Sequence, residues 1–436
     1  MHAQDTLEIK KIVLTPFHAA CVMPRMYSNH FPGCQVQGNE VNDLLRKELH
    51  KRVIDTTPDF ISQIFSDARK PLIIDEAFYN LLSQTCIDIH DNPCPPLWNK
   101  QNRTLTAPAH YSESHLVDWL NLLSKVMGQA HGTPSTRIWS YRSKDTPLVG
   151  SHISRKPDLI LIDKSYDARL RKSFDLNTDW CFIRAIAEVT AEKRTPSRML
   201  DAINTKSYLM FQCQVNRRFV VALSFTGNGK FTLTLTDREG QLRWFEMPLF
   251  ENKKHVDVFF HVFSFLMFGE ISDIGLDPNF EFDVFGKLLS ITVDEQRFVV
   301  EKLVYELSCI VGRATRVWVV KCHKNRRYVL KDSWIQDSHV DSEISILQKM
   351  MQPKKGHNEV KDSIPQFVCG GDVMLKGEIK DCTGYYRKDL RGWPESQRIH
   401  RRIVSSPIGE PITSFHSKKE FIRVIISILE GALLCS

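Results

Sequence analysis

Lys331 and Glu343 are the residues whose types and spacing first suggest chemistry. Lys331 follows the apolar run Tyr328–Leu330 in RVWVVKCHKNRRYVLKDSW (316–334), which reads as two strands joined by a basic turn. A long cationic arm on a rigid strand suits a phosphate contact, and a carboxylate on a facing helix can hold it in place. Val340, Ile344, Leu347 and Met351 share one face of a short helix. Glu343 stands three after Val340 and four before Leu347, so it points inward with them. An inward carboxylate wants a cationic partner, because an unpaired buried charge is costly, and Lys331 is the obvious one. The bland alternative is an exposed strand-end lysine and a solvated helix residue. Gly312, in IVGRAT, stands where backbone amides could approach a phosphate, although a single glycine usually marks only a turn.

A second pair sits in the middle of the chain. Asp158 follows Pro157 at the start of the apolar run LILID, and Glu188 lies near the end of WCFIRAIAEV. Carboxylates on adjacent strands can hold a Mg²⁺, with a lysine two residues after the second helping to activate water. This is the PD…(D/E)xK pattern of nucleases, but Thr190 stands at the lysine position and the nearest lysine is Lys193. The alternative is a pair of edge carboxylates that cap strands or meet Arg155 and Arg184. The histidines form no HExxH or HxH; His110, His115, His152 and His261 are dispersed and predict no metal site. Arg398, Arg401 and Arg402 are either phosphate contacts or solvated charges where a strand begins.

The elements that must position these residues follow from periodicity. Residues 1–130 read as mainly helical, with helices over Val41–Val53, Pro58–Ser66, Pro71–Cys86 and Glu113–Gly128, and a Pro-, Asn- and His-rich loop over Ile87–Ser112. Strands are expected at Thr136–Tyr141, Lys156–Asp163 and Trp180–Val189, then a helix at Pro196–Phe211. Strands Arg217–Phe225 and Lys230–Thr236 flank the turn Thr226–Gly229, and Gln241–Leu249 follows. Val256–Phe268 is apolar nearly all round, which predicts a buried helix. Strands at Gly286–Asp294 and Phe298–Leu307 lead into the last region. There, Ile399–Val404 is a strand, and Ser417–Glu420 is a capping box opening a helix that buries Phe421, Ile425, Ile428, Leu429 and Ala432.

The fold expected is α+β in three parts: a mainly helical region over 1–130, an α/β domain over 131–285 resembling a PD-(D/E)xK nuclease core, and a third domain over 286–436. A chain of 436 residues is long for a single core. The longest terminal apolar run, Val424–Cys435, is too short for a membrane span and contains Glu430. Its N-terminus, MHAQDTLEIKK, lacks a secretory pattern. Eleven cysteines without a CxxC pair predict reduced thiols and an intracellular protein with no membrane partner. The net charge of +7 lies wholly in the last third: residues 1–300 hold 35 basic and 35 acidic side chains, residues 301–436 hold 23 and 16. Such a basic region attracts phosphate groups or nucleic acid, or is simply a solvated face.

The glycine turn, hairpin, strand lysine and helix glutamate come in the order that opens a protein-kinase nucleotide site. With the motifs RKPDLIL (155–161), QVNRRFV (214–220), TDREG (236–240), GLDP (275–278), VLKDSW (329–334), RIV (402–404) and IGEPITSF (408–415), the chain resembles the fungal-type protein kinase family. The resemblance implies a kinase-like small lobe followed by the first helix of the large lobe, ATP and Mg²⁺ as cofactors, and Ser/Thr phosphorylation of a protein substrate. Gly312, Lys331 and Glu343 would hold ATP, and Ser405, Ser406 and Ile408 would belong to the hinge Ser405–Ile412. The family pattern continues with an HRD-type catalytic loop and a metal-binding Asp motif. Neither occurs in residues 1–436, so this chain by itself is expected to lack appreciable kinase activity. A non-catalytic pseudokinase-like interaction module and a nuclease-like nucleic-acid-binding protein are the alternatives.

Overall fold

The computed structural model describes residues 38–56, 71–88, 92–173, 176–190, 196–227, 229–337, 343–351, 365–375, 379–387, 397–409 and 414–435. The expected helix over Pro58–Ser66, and Lys193, Val340 and the hinge residues Glu410–Ile412, lie outside them. The architecture is mixed α+β, in two compact units. One holds the described residues to Pro278 together with Ser308–Val311; the other holds Asn279–Leu307 and Gly312–Ser436.

The first unit runs α1 (Gly38–Glu48), β1 (Val53–Thr56), α2 (Glu76–Leu82), α3 (Glu113–His131), β2 (Arg137–Ser140), β3 (Leu159–Asp163), α4 (Lys164–Lys172), β4 (Ala185–Thr190), α5 (Pro196–Cys213), β5 (Val220–Thr226), β6 (Lys230–Asp237), β7 (Gly240–Pro248) and α6 (Lys253–Phe268). Its seven strands lie in the order β1-β7-β6-β5-β4-β3-β2. Strands β2, β3 and β4 pair antiparallel, whereas β4 and β5 are parallel. A parallel pair needs a long crossover, and α5 supplies it. The sequence runs LILID and AIAEVT are apolar without alternation because both faces of β3 and β4 are covered. Ile160, Ile162, Ile186, Val220 and Ala222 form one core with Val41 and Leu45 of α1 and Leu209 and Phe211 of α5.

Local chemistry explains the boundaries. Ser112 caps α3 by accepting from the His115 amide, and Gly132 ends it in the left-handed conformation. Asn252 starts α6 three residues earlier than its apolar run suggests, and the helix buries both its faces. The strand expected over Trp180–Val189 is shorter. Asp179 accepts from the Cys181 amide and turns Trp180–Phe182 into a 3₁₀ helix, so pairing begins only at Ala185. The segment read as loop between 87 and 112 contains two short ladders, Cys86–Ile87 with Pro93–Cys94 and Trp98–Asn99 with Thr104–Leu105. The helical reading of the N-terminal region missed β1, which lies parallel to β7.

The second unit runs β8 (Phe280–Phe282), β9 (Leu288–Val293), β10 (Gln296–Glu306), β11 (Arg316–Lys321), β12 (Arg327–Gln336), α7 (Glu343–Met351), β13 (Gln366–Asp372), β14 (Arg398–Ser406) and α8 (Lys418–Cys435). The sheet order is β8-β9-β10-β11-β12-β14-β13, antiparallel throughout. The capping box at α8 forms with a variation. Ser417 accepts from the Glu420 amide, but Glu420 reaches the His416 amide rather than that of Ser417. The expected burial of the α8 stripe is not found at Phe421, which is 37% exposed, while Ile425 is half-buried. The side chains of Ile428, Leu429 and Ala432 lie outside the described set.

Candidate functional site

Lys331 sits in the middle of the second sheet, opposite Val317 on β11 and Ile403 on β14. Neighbours on both sides bury the residue and fix its direction. Its Nζ donates to Glu343 Oε1 at 2.8 Å and Oε2 at 2.7 Å. Glu343 is the first residue of α7, where a carboxylate also meets the positive end of the helix dipole. Strand and helix thus bring together two residues twelve apart in sequence. Ser405 lies two residues beyond Ile403 on β14, opposite Val329; Ser406 ends the strand opposite Gln366, and Ile408 is half-buried just after it.

Side chains alternate across a strand, so Asp332 and Trp334 face the other side of the sheet from Lys331. There a buried polar network forms. Asp332 Oδ1 accepts from Arg402 Nε at 2.8 Å and from His400 Nε2 at 2.9 Å, and His400 Nδ1 lies 2.8 Å from Asp381 Oδ2. Trp334 stacks on His400 with ring centroids 4.6 Å apart, and the Arg402 guanidinium lies over Phe280. Burial opposes the imidazolium, but Asp332 and Asp381 together outweigh it and push His400 up to about 9. Burial likewise opposes the Asp332 carboxylate, and His400 and Arg402 overturn that, holding it well below the usual range. Arg402 and Arg401 are therefore not solvated: Arg401 donates to Asp372 at 2.8 Å.

Gly312 has a φ of +131° at the turn between β10 and β11. The amides just before it are already engaged within the first unit. Ile310 and Val311 each donate to Glu48 Oε1 at 2.7 Å, and Arg238 donates to the Cys309 carbonyl at 2.7 Å. Ile310 is fully buried in the first unit's core. Burial raises the Glu48 carboxyl above its ordinary value, against the pull of those two amides.

The first unit holds Asp158 and Glu188 on neighbouring stretches of chain. Asp158 Oδ2 accepts from the Val189 amide at 2.8 Å, next to Glu188. The buried Glu188 is ion-paired with Lys206 of α5. Burial pushes Glu188 up to about 7; the Asp158 charge adds to this and Lys206 opposes it. Arg184 pairs with Asp163 instead of either carboxylate. Sequence spacing missed Lys206, although a polar run, Asn204–Ser207, inside a helix facing a core was a signal that its side chains have buried partners. His110 and His115 meet ring to ring at 5.0 Å, and among the described residues no group of three or more His, Cys, Asp or Glu could hold a metal.

Several of the short motifs also meet one another. Within QVNRRFV, Arg217 donates to the Ile274 carbonyl and the Arg218 amide to Gly275 of GLDP, while Asp277 binds back to Asn216. VLKDSW and RIV meet through Asp332 and Arg402. A family model described as fungal protein kinase matches residues 156–433. That is well over half of the chain, and the protein belongs to the fungal protein kinase family. No curated protein and no solved structure matches it.

Proposed function

We propose that the second unit is a kinase-like small lobe that binds the phosphates of ATP through Lys331. The bidentate Lys331–Glu343 pair carries this reading: a strand ammonium held by a helix carboxylate is ready to meet a polyphosphate. The residues present fit ATP in this respect. Among the described residues no group of three or more His, Cys, Asp or Glu gathers to hold a Mg²⁺. When bound, Mg²⁺ would neutralise charge on the phosphates. Ser405, Ser406 and Ile408 are the proposed hinge, where backbone groups would meet adenine.

Lys331 holds and orients phosphate, and Glu343 holds Lys331. Neither can orient a substrate hydroxyl, and residues 1–436 contain no HRD-type or DFG-type motif to do so. These residues alone are expected to bind nucleotide without transferring phosphate to a protein Ser or Thr. Purified 1–436 should bind a non-hydrolysable ATP analogue in calorimetry, and Lys331→Met should abolish most of that binding. Phosphate transfer by 1–436 that is lost in Lys331→Met would overturn the non-catalytic part of the reading. An intracellular setting fits eleven cysteines without paired spacing, and no helix among the described residues is long and apolar enough to cross a membrane.

One observation favours a second reading for the first unit, as a nuclease-like nucleic-acid-binding domain. Apart from α4, inserted between β3 and β4, the order of α3, β2–β4, crossover α5 and β5 resembles the helix–three strands–helix–strand order of a PD-(D/E)xK core, and Lys206 supplies an ammonium that Thr190 does not. Glu188 and Lys206 are closed off from solvent, which favours a structural ion pair over an open metal site. We expect no Mg²⁺-dependent DNA cleavage; cleavage abolished by Asp158→Ala would establish the nuclease instead.

A further inference from the structure

Cys86 and Cys94 lie directly opposite each other in the short antiparallel ladder after α2. Their Sγ atoms are 2.8 Å apart. Beside the pair, the Asp88 amide donates to the Asn92 carbonyl, and Asp88 Oδ1 accepts from the Asn92 amide, both at 2.8 Å. Lys125 of α3 donates to the Asp88 carbonyl at 3.0 Å. Directly opposed antiparallel residues have Cα atoms about 4.5–5.5 Å apart, inside the range of about 4.4–6.8 Å that a disulfide spans. No backbone movement is needed to join these sulfurs.

Both cysteines are only half-buried, so a small oxidant can reach them. Burial first, and the neighbouring Cys94 second, push the Cys86 thiol up to about 12, which keeps it a thiol at rest. A pair held at this distance in a protein with otherwise dispersed cysteines fits reversible oxidation better than a permanent structural bond.

We propose that Cys86 and Cys94 are a redox modification site that a small disulfide such as oxidised glutathione converts to an intramolecular disulfide. Cys94, as its thiolate, attacks the oxidant's S–S bond, giving a mixed disulfide and releasing one thiol. The second thiolate then attacks the protein sulfur of that mixed disulfide and expels the other thiol. Two protein S–H bonds are lost and one S–S bond forms. The oxidant takes up two electrons and two protons and leaves as two thiols. The bond would join the two short strands Cys86–Ile87 and Pro93–Cys94, between α2 and the Trp98 segment. Tyr79 of α2 packs on Trp98 with ring centroids 4.4 Å apart, and Phe78 packs on Phe260 of α6, so oxidation would lock this cover on α6.

The test uses the full chain. Trypsin places both residues in one peptide, Lys70–Lys100, which contains no third cysteine. After incubation with oxidised glutathione and alkylation, that peptide should be about 2 Da lighter, for two lost hydrogens, and carry no alkyl group. Dithiothreitol should restore alkylation at both positions. In Cys86→Ser, Cys94 should keep its glutathione adduct, because the resolving thiol is gone. Alkylation of both cysteines after oxidation, separate adducts on each, or crosslinks to other cysteines would overturn the proposal.

Discussion

Lys331 and Asp332 are adjacent, yet they serve opposite faces of one sheet. Lys331 reaches a carboxylate on a helix end, where a ligand phosphate could share it. Asp332 is sealed in with His400, Arg402 and Trp334 and is satisfied entirely by protein. Substitutions at the two positions should therefore read out differently. Lys331→Met keeps the stem and removes the ammonium, and Glu343, with a side chain 35% exposed, can turn to water. Losing one charge-assisted contact to phosphate, worth about 1.5–3 kcal/mol, should weaken ATP-analogue binding about 10–100-fold. Denaturant unfolding of the same variant should change by no more than about 1 kcal/mol. A large loss of stability with unchanged affinity would make Lys331 a structural residue.

Elements are fixed by close approaches that periodicity does not report. TDREG is an example. Asp237 Oδ1 accepts from the amides of Glu239 and Gly240, which tightens the turn from β6 to β7. Gly240 has a φ of +143°, and a Cβ there would lie 2.1 Å from the Arg52 carbonyl just before β1. The same carbonyl accepts from the Gln241 amide, and Glu239 pairs with Arg52 at 2.6 Å. The glycine thus admits β1 to the sheet edge. Gly240→Ala should cost about 2–4 kcal/mol in urea unfolding, as strain against backbone that cannot yield. Gly132→Ala makes a useful comparison: its φ is +81° but nothing lies within 4 Å of the added Cβ, so it should cost about 1 kcal/mol. Equal costs at the two sites would mean that φ alone, and not the approach of β1, requires Gly240.

Across the whole molecule, the two units carry buried titrating groups shifted in the same direction. Glu188 rises from an ordinary 4.5 to about 7 in the first unit, and His400 from 6.5 to about 9 in the second. In each case the folded state holds its proton more tightly than the unfolded chain does. That contribution is complete below the unfolded value and is lost as pH rises through the folded one. First-unit stability should therefore fall between about pH 4.5 and 7, and second-unit stability between about 6.5 and 9, by roughly 1–3 kcal/mol each. Glu188→Gln should flatten the first fall and His400→Gln the second, measured by denaturant midpoints across pH. Retention of both slopes in these variants would assign them to other groups.

The sequence by itself determined the period of nearly every long element, because apolar residues must follow 3.6 or 2.0 spacing to reach a core. It also pointed to the family, through motif order, and offered Glu343 as a partner for Lys331 without deciding between that pair and two solvated charges. It did not show that Trp180–Phe182 leaves the strand, since one side-chain cap at Asp179 outweighs an apolar run. Nor did it show β1, whose four residues are too few to establish a period. Tertiary structure alone decided the partners of buried charge. Lys206 meets Glu188 from a crossover helix, Glu48 holds amides more than 260 residues away, and His400 bridges Asp332 and Asp381. Such pairs are selected by desolvation, which depends on what surrounds a group once the chain has folded, and no spacing along the chain encodes it.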